Sequence, residues 1–329
     1  MSKVSPNIVK SFSTLLCGRQ SIAFDEFVKW ALYDPRIGYY QRSKKRVGKG
    51  TKNDFYTSST LGSVWGDLII EASISLLEKK RPSQFSFVEI AAEPKTSIFE
   101  GLQHPFKNHQ IIRLGDRIEI PENAIVYSNE WLDAQPFKRF TYSKKEGCWL
   151  EVFVGLKNCQ LVQIEKKTDS FRCYPFPDVA PDGYRIDWPT GSIASLNELI
   201  TKSQWNGIFM TFDYGLDMDI LLNDRPEGTA RTYFKHKMSN SFLTNPGDQD
   251  ITCHLCWDSL QDGLTSAGFE KVKLVSQEAF LLNNARAEIK KIFDQSRDGP
   301  NPKMLALREL IHPAHLGHGM QALSAVRFR

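Results

Sequence analysis

The 329-residue chain contains no uncharged apolar run near the roughly 18 to 20 residues that a membrane-crossing helix requires, so no helical span is expected. Cysteine is sparse. Cys17, Cys148, Cys159, Cys173, Cys253 and Cys256 are scattered through a chain large enough to need no staples, and reduced thiols are the expectation. Cys253 and Cys256 form a lone C-x-x-C with no second pair at zinc-site spacing. If Asp250 to Trp257 is a strand, the two side chains alternate to opposite faces. His312, His315 and His318 recur every third residue, and helical steps of about 300° fan them around the axis instead of gathering them. No metal site is expected. A dominant charge sign is also missing: 42 basic against 38 acidic residues leave a formal +4, which argues against nucleic acid or a membrane surface as partner. The basic run from Arg42 to Lys52 is the exception and reads as a solvated loop. The first 24 residues hold Lys3, Lys10 and Arg19 and no acid, a bias found in transit peptides, but no signal-peptide core follows. A cytoplasmic protein is the expectation.

What is present is an ordinary globular composition, 41% hydrophobic and 24% charged, enough for one large α/β domain with insertions or for two modest domains. Residues 7 to 33 read as two short helices, the second starting at Asp25 and halted at Asp34-Pro35. Leu61, Val64, Trp65, Leu68, Ala72 and Leu76 repeat at helical spacing and predict a helix over Thr60 to Lys80 with a core-facing stripe. Phe85 to Ile90 reads as a strand, with Ala91 to Ser97 turning into a further helix. Gln110 to Leu114 and Ala124 to Ser128 are the next strands, too close together for a helix between them. Residues 137 to 190 alternate apolar and polar positions and suggest a small antiparallel insertion. A helix over Ala194 to Lys202, a strand over Gly207 to Gly215, a helix around Trp257 to Ala267, a strand over Lys271 to Ser276, a helical stretch from Ala285 through Leu310 and a terminal strand complete the order. The expected boundaries are an N-terminal helical wrap over 1–80, the first part of the core over 81–136, the β-rich insertion over 137–190 and the remainder of the core over 191–329.

Chemistry is suggested where buried strands end in acids. Ala124-Ile125-Val126-Tyr127-Ser128 runs into Asn129, Glu130 and Asp133, and Gly207 to Phe212 runs into Asp213. In an open α/β sheet the carboxyl ends of the strands open into the crevice where ligands sit. Carboxylates there suit a guanidinium, an amine or a proton in transit. The plainer reading is an acidic helix start, with Asn129 or Asp133 as a cap.

Six segments, in order, resemble a known family. They are Ala31-Leu32-Tyr33-Asp34-Pro35 with Gly38-Tyr39-Tyr40; Asp54-Phe55-Tyr56-Thr57-Ser58 with Trp65-Gly66; Asn129 to Pro136; Phe212-Asp213-Tyr214-Gly215; Gly228-Thr229 with Arg231 and Tyr233; and Pro246 to Thr252. The chain is similar to the MidA-like class I S-adenosylmethionine-dependent methyltransferases, a family that includes a mitochondrial factor for respiratory complex I assembly that methylates an arginine. The resemblance implies an α/β, Rossmann-like, seven-stranded class I methyltransferase sheet with an N-terminal helical wrap and a substrate-side insertion. It implies S-adenosylmethionine as cofactor and a protein nitrogen such as arginine as acceptor. By the same resemblance Glu130 and Asp133 are catalytic; Asp54, Thr57, Glu89, Ala91, Asp116 and Asn129 hold the cofactor; and Asp213, Tyr214, Arg231, Gln249 and Asp250 hold the substrate.

The chain also departs from that pattern. Where the family has a glycine-rich turn, this chain has Glu89-Ile90-Ala91-Ala92-Glu93-Pro94-Lys95, with every glycine replaced and an N–H lost at Pro94. About 39 residues separate Glu89 from Asn129, fewer than two strand-helix units of roughly 30 each, so one unit is expected to be missing or shrunken. Asp116 is the acid available near the end of the second strand. Two functions stay open: a methyltransferase that holds its donor through other contacts, and a degenerate member that uses its acids to bind a basic protein segment.

Overall fold

Three buried runs found in the sequence become neighbours in one sheet. The computed structural model describes residues 5–41, 62–234, 237–297, 299, 301–312 and 319–328. Two compact units are formed, one by Lys45–Trp131, Leu196–Gly215 and Ser259–Arg329, the other by Met1–Lys44, Leu132–Ser195 and Leu216–Asp258.

The first unit is built on six strands: β1 (Ser86–Ile90), β2 (His109–Ile112), β3 (Asn123–Asn129), β4 (Asn206–Asp213), β5 (Glu270–Ser276) and β6 (Gln321–Arg327), ordered β5-β6-β4-β3-β1-β2 across the sheet. β1 pairs in parallel with β2 and β3, and β3 with β4. β6 runs antiparallel between β4 and β5. β1 is buried at every position, as expected of a parallel strand covered on both faces. Side chains alternate, so Phe87, Ile125, Tyr127, Ile208, Met210 and Phe212 form one face and pack with the helix Ser63–Leu77 and the helices Gln277–Asn284, Arg286–Asp294 and Pro302–Ile311.

The expected shortage of connecting structure is real and larger than one unit. Neither β1 to β2 nor β2 to β3 is linked by a helix, and β2 is left as the outer strand. The helix expected after Ala91 to Ser97 is therefore absent. Pro94, Gly101 and Pro105 break any helical run there, and Ile98, Phe99 and Phe106 instead plug the core below β1. The helical stretch expected from Ala285 through Leu310 is likewise divided, into Arg286–Asp294 and Pro302–Ile311, with Gly299 between them and Pro302 at the first position of the second helix. Asn301 restarts the chain by accepting the Met304 N–H at 3.0 Å.

The second unit holds the antiparallel insertion. Cys148–Lys157 is its central strand, pairing with Lys138–Ser143, Gln160–Lys167 and the short N-terminal strand Ser21–Ala23, while Lys138–Ser143 also pairs Arg185–Trp188. A separate three-stranded sheet is ordered Lys237–Ser239, Arg231–Phe234, Asp250–Thr252. The expected strand from Asp250 to Trp257 is split into Asp250–Thr252 and Leu255–Cys256, and both Cys253 and Cys256 are buried. Among the described residues no cluster of three or more His, Cys, Asp or Glu could hold a metal ion, and no helix is long and apolar enough to cross a membrane. The basic run Arg42 to Lys52, His315 and His318 lie outside the described residues.

Gly66 shows how closely the first unit is packed. A Cβ there would lie 2.4 Å from the Ile98 carbonyl oxygen and 2.5 Å from Leu102 Cδ1. Gly66→Ala is therefore expected to cost about 1–3 kcal/mol, read as a lower denaturation midpoint at unchanged slope. An unshifted midpoint would show that the helix does not sit this close to residues 98–102.

Candidate active site

Register places the polar strand ends of the first unit at one edge. Ile90 is paired with Ser128, and Asn129 with Phe212, so Ala91, Glu130 and Asp213 each follow at the carboxyl end of adjacent strands. Strand spacing puts the Ala91 and Asp213 backbones roughly 10 Å apart, with Glu130 between them. The Glu130 N–H donates to the Phe212 carbonyl at 2.9 Å, which pins Glu130 beside the start of Asp213. Glu130 holds a left-handed backbone, φ 49°. For a non-glycine residue that conformation is costly, and such strain gathers at functional positions. Asn129 donates its amide to Glu130 Oε1 at 3.0 Å. Its Oδ1 is buried with no hydrogen-bond partner among the described residues. Asp213 is fully buried and accepts the Tyr214 N–H at 2.8 Å.

The turn after β1 keeps a glycine-like backbone without glycine. Ala91 has φ 61° and Lys95 φ 64°, two of the three positions where the resembling family has glycine. The Ala91 N–H donates to the Ile112 carbonyl at 2.8 Å. Glu89 points to the core side, where its carboxylate accepts the Ile98 N–H at 3.1 Å and meets His109 Nε2 at 3.1 Å, so it braces the far end of the turn. Asp116 is exposed and accepts the Arg113 N–H at 2.8 Å, closing its own loop. Behind β3, the Trp65 indole donates to Tyr127 OH at 2.8 Å. Burial, more than any charge, pushes the Tyr127 phenol well above its usual range. An open depression lined by Lys80, Lys107, Asn123 and Asn206 lies at the opposite, amino edge of the sheet, away from these groups.

The second unit gathers three segments far apart in sequence. Tyr40 OH donates to Asp250 Oδ1 at 2.9 Å, and Tyr33 OH to the Ala134 carbonyl at 2.9 Å. The two rings stack with centroids 5.5 Å apart. A Cβ on Gly247, whose φ is +80°, would lie 2.3 Å from the Ile37 carbonyl oxygen, so only glycine lets these loops meet. The Cys253 N–H donates to the Asp133 carbonyl at 2.9 Å. Tyr40's phenol is driven well above its usual range by burial first and then by the charges of Asp250 and Asp133, so the two acids belong to one neighbourhood.

Other expected substrate residues are occupied locally. Arg231 donates to the Gly228 and Ala230 carbonyls at 3.1 and 2.7 Å, and Gln249 to the Ser241 and Phe242 carbonyls at 3.0 and 2.9 Å. Both shape loops. Asp54 and Thr57 lie outside the described residues.

Three groups escaped the sequence reading. Arg139 and Asp187 form a buried two-point ion pair at 2.7 and 3.0 Å, and Asp187 also accepts the Ala230 N–H at 2.9 Å. A Cβ on Gly228 would fall 2.3 Å from Asp187 Oδ2, which explains the glycine at that position. Nothing in periodicity marks such a pair. His254 has a buried Nδ1 with no hydrogen-bond partner among the described residues. Burial, then the charges of Arg231 and Arg225, hold its pKa down to about 4.

A mixed sheet whose parallel strands β1, β3 and β4 end at one edge, where Asn129, Glu130 and Asp213 stand, is the open α/β arrangement in which ligands sit at the carboxyl ends of strands. Residues 71–275 match the Methyltransf_28 family, described as "Putative S-adenosyl-L-methionine-dependent methyltransferase", and the chain belongs to that family. The Caenorhabditis elegans protein "Protein arginine methyltransferase NDUFAF7 homolog, mitochondrial" is 24% identical over 286 residues, which cover 70% of this chain and 65% of that protein. The chain thus spans less than two thirds of that relative's length. A crystal structure of a COG1565 superfamily member from Burkholderia thailandensis bound to S-adenosyl-homocysteine superposes with a TM-score of 0.81 at 18% identity, over 99% of this chain and 95% of that one. A second structure, a native COG1565 superfamily protein from Burkholderia thailandensis, gives 0.78 at 17% identity, with 99% and 95% covered. The fold is that of these proteins.

Two outcomes follow from the geometry. Ala91→Gly relieves a left-handed alanine and is expected to raise stability by about 0.5–1 kcal/mol in denaturant titration; a loss would mean that the turn is not left-handed there. His254 has a folded-state pKa below its unfolded value, so the unfolded chain binds the extra proton between pH 6.5 and about 4. Stability should be full above pH 6.5 and fall by up to about 3 kcal/mol as the pH drops to about 4. Subtracting the pH profile of His254→Gln isolates this contribution, and superimposable profiles would refute it.

Proposed function

We propose that this chain transfers a methyl group from S-adenosylmethionine to a nitrogen of a protein side chain, with arginine as the acceptor class. The carrying observation is the strand edge itself: Asn129, Glu130 and Asp213 stand abreast of a turn that keeps left-handed backbone at Ala91 and Lys95. The residues fit the donor in two respects. The turn has the backbone shape that lets main chain approach a ligand, and the unpartnered Asn129 Oδ1 is a buried acceptor suited to an ammonium group.

When bound, the donor supplies an electrophilic methyl group. The chain's own part is to hold the acceptor nitrogen and take its proton. Glu130 is the base in this reading, held by its backbone bond to Phe212 and by Asn129 at its Oε1. In the second unit, taken by itself, Asp133 and Asp250 lie near Tyr40 as acids suited to a guanidinium. Arginine as acceptor is supported by the name of the nematode relative. Residence in the cytoplasm, in place of the mitochondrion named for that relative, belongs to the same proposal and is read out by fractionation.

One observation favours a second reading. The helix whose amino end would face a nucleotide's anionic groups is absent after β1, which suits a family member that binds a basic segment without chemistry.

Titration calorimetry with S-adenosylmethionine and methyl incorporation into an arginine-bearing protein separate the two. The enzyme reading expects donor binding, and a loss of roughly 100-fold or more in transfer for Glu130→Gln with donor affinity kept. Folded protein that takes up no heat at millimolar donor removes it. Equal transfer by Glu130→Gln removes Glu130 as the base.

A further inference from the structure

The end of β2 carries a cation where nucleotide-binding sheets carry an acid. Ile90 is paired with Ile112, so Arg113 is the first residue beyond β2 and stands abreast of Ala91. In open α/β sheets this position holds the carboxylate that grips a ribose diol, and an arginine nearby accommodates a phosphate instead. Arg113 Nη2 donates to the Thr96 carbonyl at 2.8 Å, which lays the guanidinium over the residue 91–97 turn. Its Nε is buried and has no hydrogen-bond partner among the described residues. A buried guanidinium N–H without an acceptor is costly and is ordinarily satisfied. Asp116, the acid on this loop, is exposed and turned to the Arg113 backbone N–H at 2.8 Å.

The missing helix gives this cation a purpose. A helix start after β1 would ordinarily present positive charge and N–H donors to a ligand's anionic group. Here that turn contains Pro94, and no helix follows it. We propose that Arg113 replaces that helix end as the anion-binding group of the donor site, taking a ligand carboxylate or phosphate on its unpartnered N–H. This rests on the donor-binding reading above. The anion is either the carboxylate of the donor's amino-acid arm or a phosphate carried on the ribose, and one guanidinium N–H serves both.

Calorimetry on the full chain and on Arg113→Gln tests it with four probes: S-adenosylhomocysteine, 5′-methylthioadenosine, which lacks the amino-acid arm, adenosine 2′-monophosphate and adenosine. Thermal unfolding confirms that the variant is folded. The expected result is a loss of roughly 10- to 100-fold in S-adenosylhomocysteine affinity with 5′-methylthioadenosine unchanged. If the loss falls instead on adenosine 2′-monophosphate relative to adenosine, the anion is a ribose phosphate and the role of Arg113 is upheld. Arg113→Lys should recover part of the affinity, since it keeps the charge without the fork. Equal weakening of both members of each pair would show that Arg113 only braces Thr96 and would overturn the proposal, as would unchanged affinity for every probe. Wild-type protein that binds adenosine 2′-monophosphate through Arg113 but not S-adenosylhomocysteine would sink the methyl-donor reading and leave Arg113 standing. Wild-type protein that binds none of the four would sink both.

Discussion

The parallel register of β1, β3 and β4 is the constraint on which the donor-side chemistry depends. Because Ile90 meets Ser128 and Asn129 meets Phe212, the three strands end at the same edge, each one residue beyond its neighbour. A one-residue slip would turn Tyr127 and Phe212 out of the core they share with Trp65, and would move every polar end group to the other face. Core packing thus fixes where Glu130 and Asp213 stand. The strain at Glu130 and Ala91 is tolerated because the surrounding hydrogen bonds, to Phe212 and Ile112, leave the backbone no cheaper path.

Loss and retention are distributed unevenly. Around β1 and β2 the turn 91–97 has no glycine, no helix links the two strands, and Arg113 in place of an acid follows β2. The left-handed backbone survives at two of the substituted positions, and hydrophobic plugs at Ile98, Phe99 and Phe106 fill the space a helix would cover. In the second unit, by contrast, Gly228 and Gly247 sit where any side chain would collide with Asp187 or Ile37, and those loops keep their glycines. Tight backbone approach occurs at the Arg139–Asp187 pair and where the Gly247 loop meets Ile37, near Tyr40 and Asp250.

Much of this was legible in the residues. The buried runs around Val88, Val126 and Phe209 marked the central strands, and the stripe from Val64 to Leu76 marked the helix against them. The short interval between Glu89 and Asn129 correctly implied lost connections. The helix expected after Ala91 was misplaced because Pro94, Gly101 and Pro105 outweigh the local preference for helix, and the hydrophobic residues between them pack as isolated plugs. Pairings of distant residues were invisible: nothing in sequence spacing joins Tyr40 to Asp250, Arg139 to Asp187, or Arg113 to Thr96, since each depends on tertiary loop approach. The bonds that Arg231 and Gln249 make to neighbouring carbonyls were likewise invisible in the sequence.

The central claim is that the left-handed turn after β1 and the Asn129-Glu130 edge together form a ligand site. Hydrogen exchange with and without S-adenosylhomocysteine tests this most directly, since ligand binding slows amide opening where contacts form. The account predicts added protection at residues 91–98 and 129–131, with the hairpin Arg231–Phe234 and Lys237–Ser239 unchanged. Saturating ligand that leaves residues 91–98 as exchangeable as before, or protects the amino edge of the sheet instead, would contradict it.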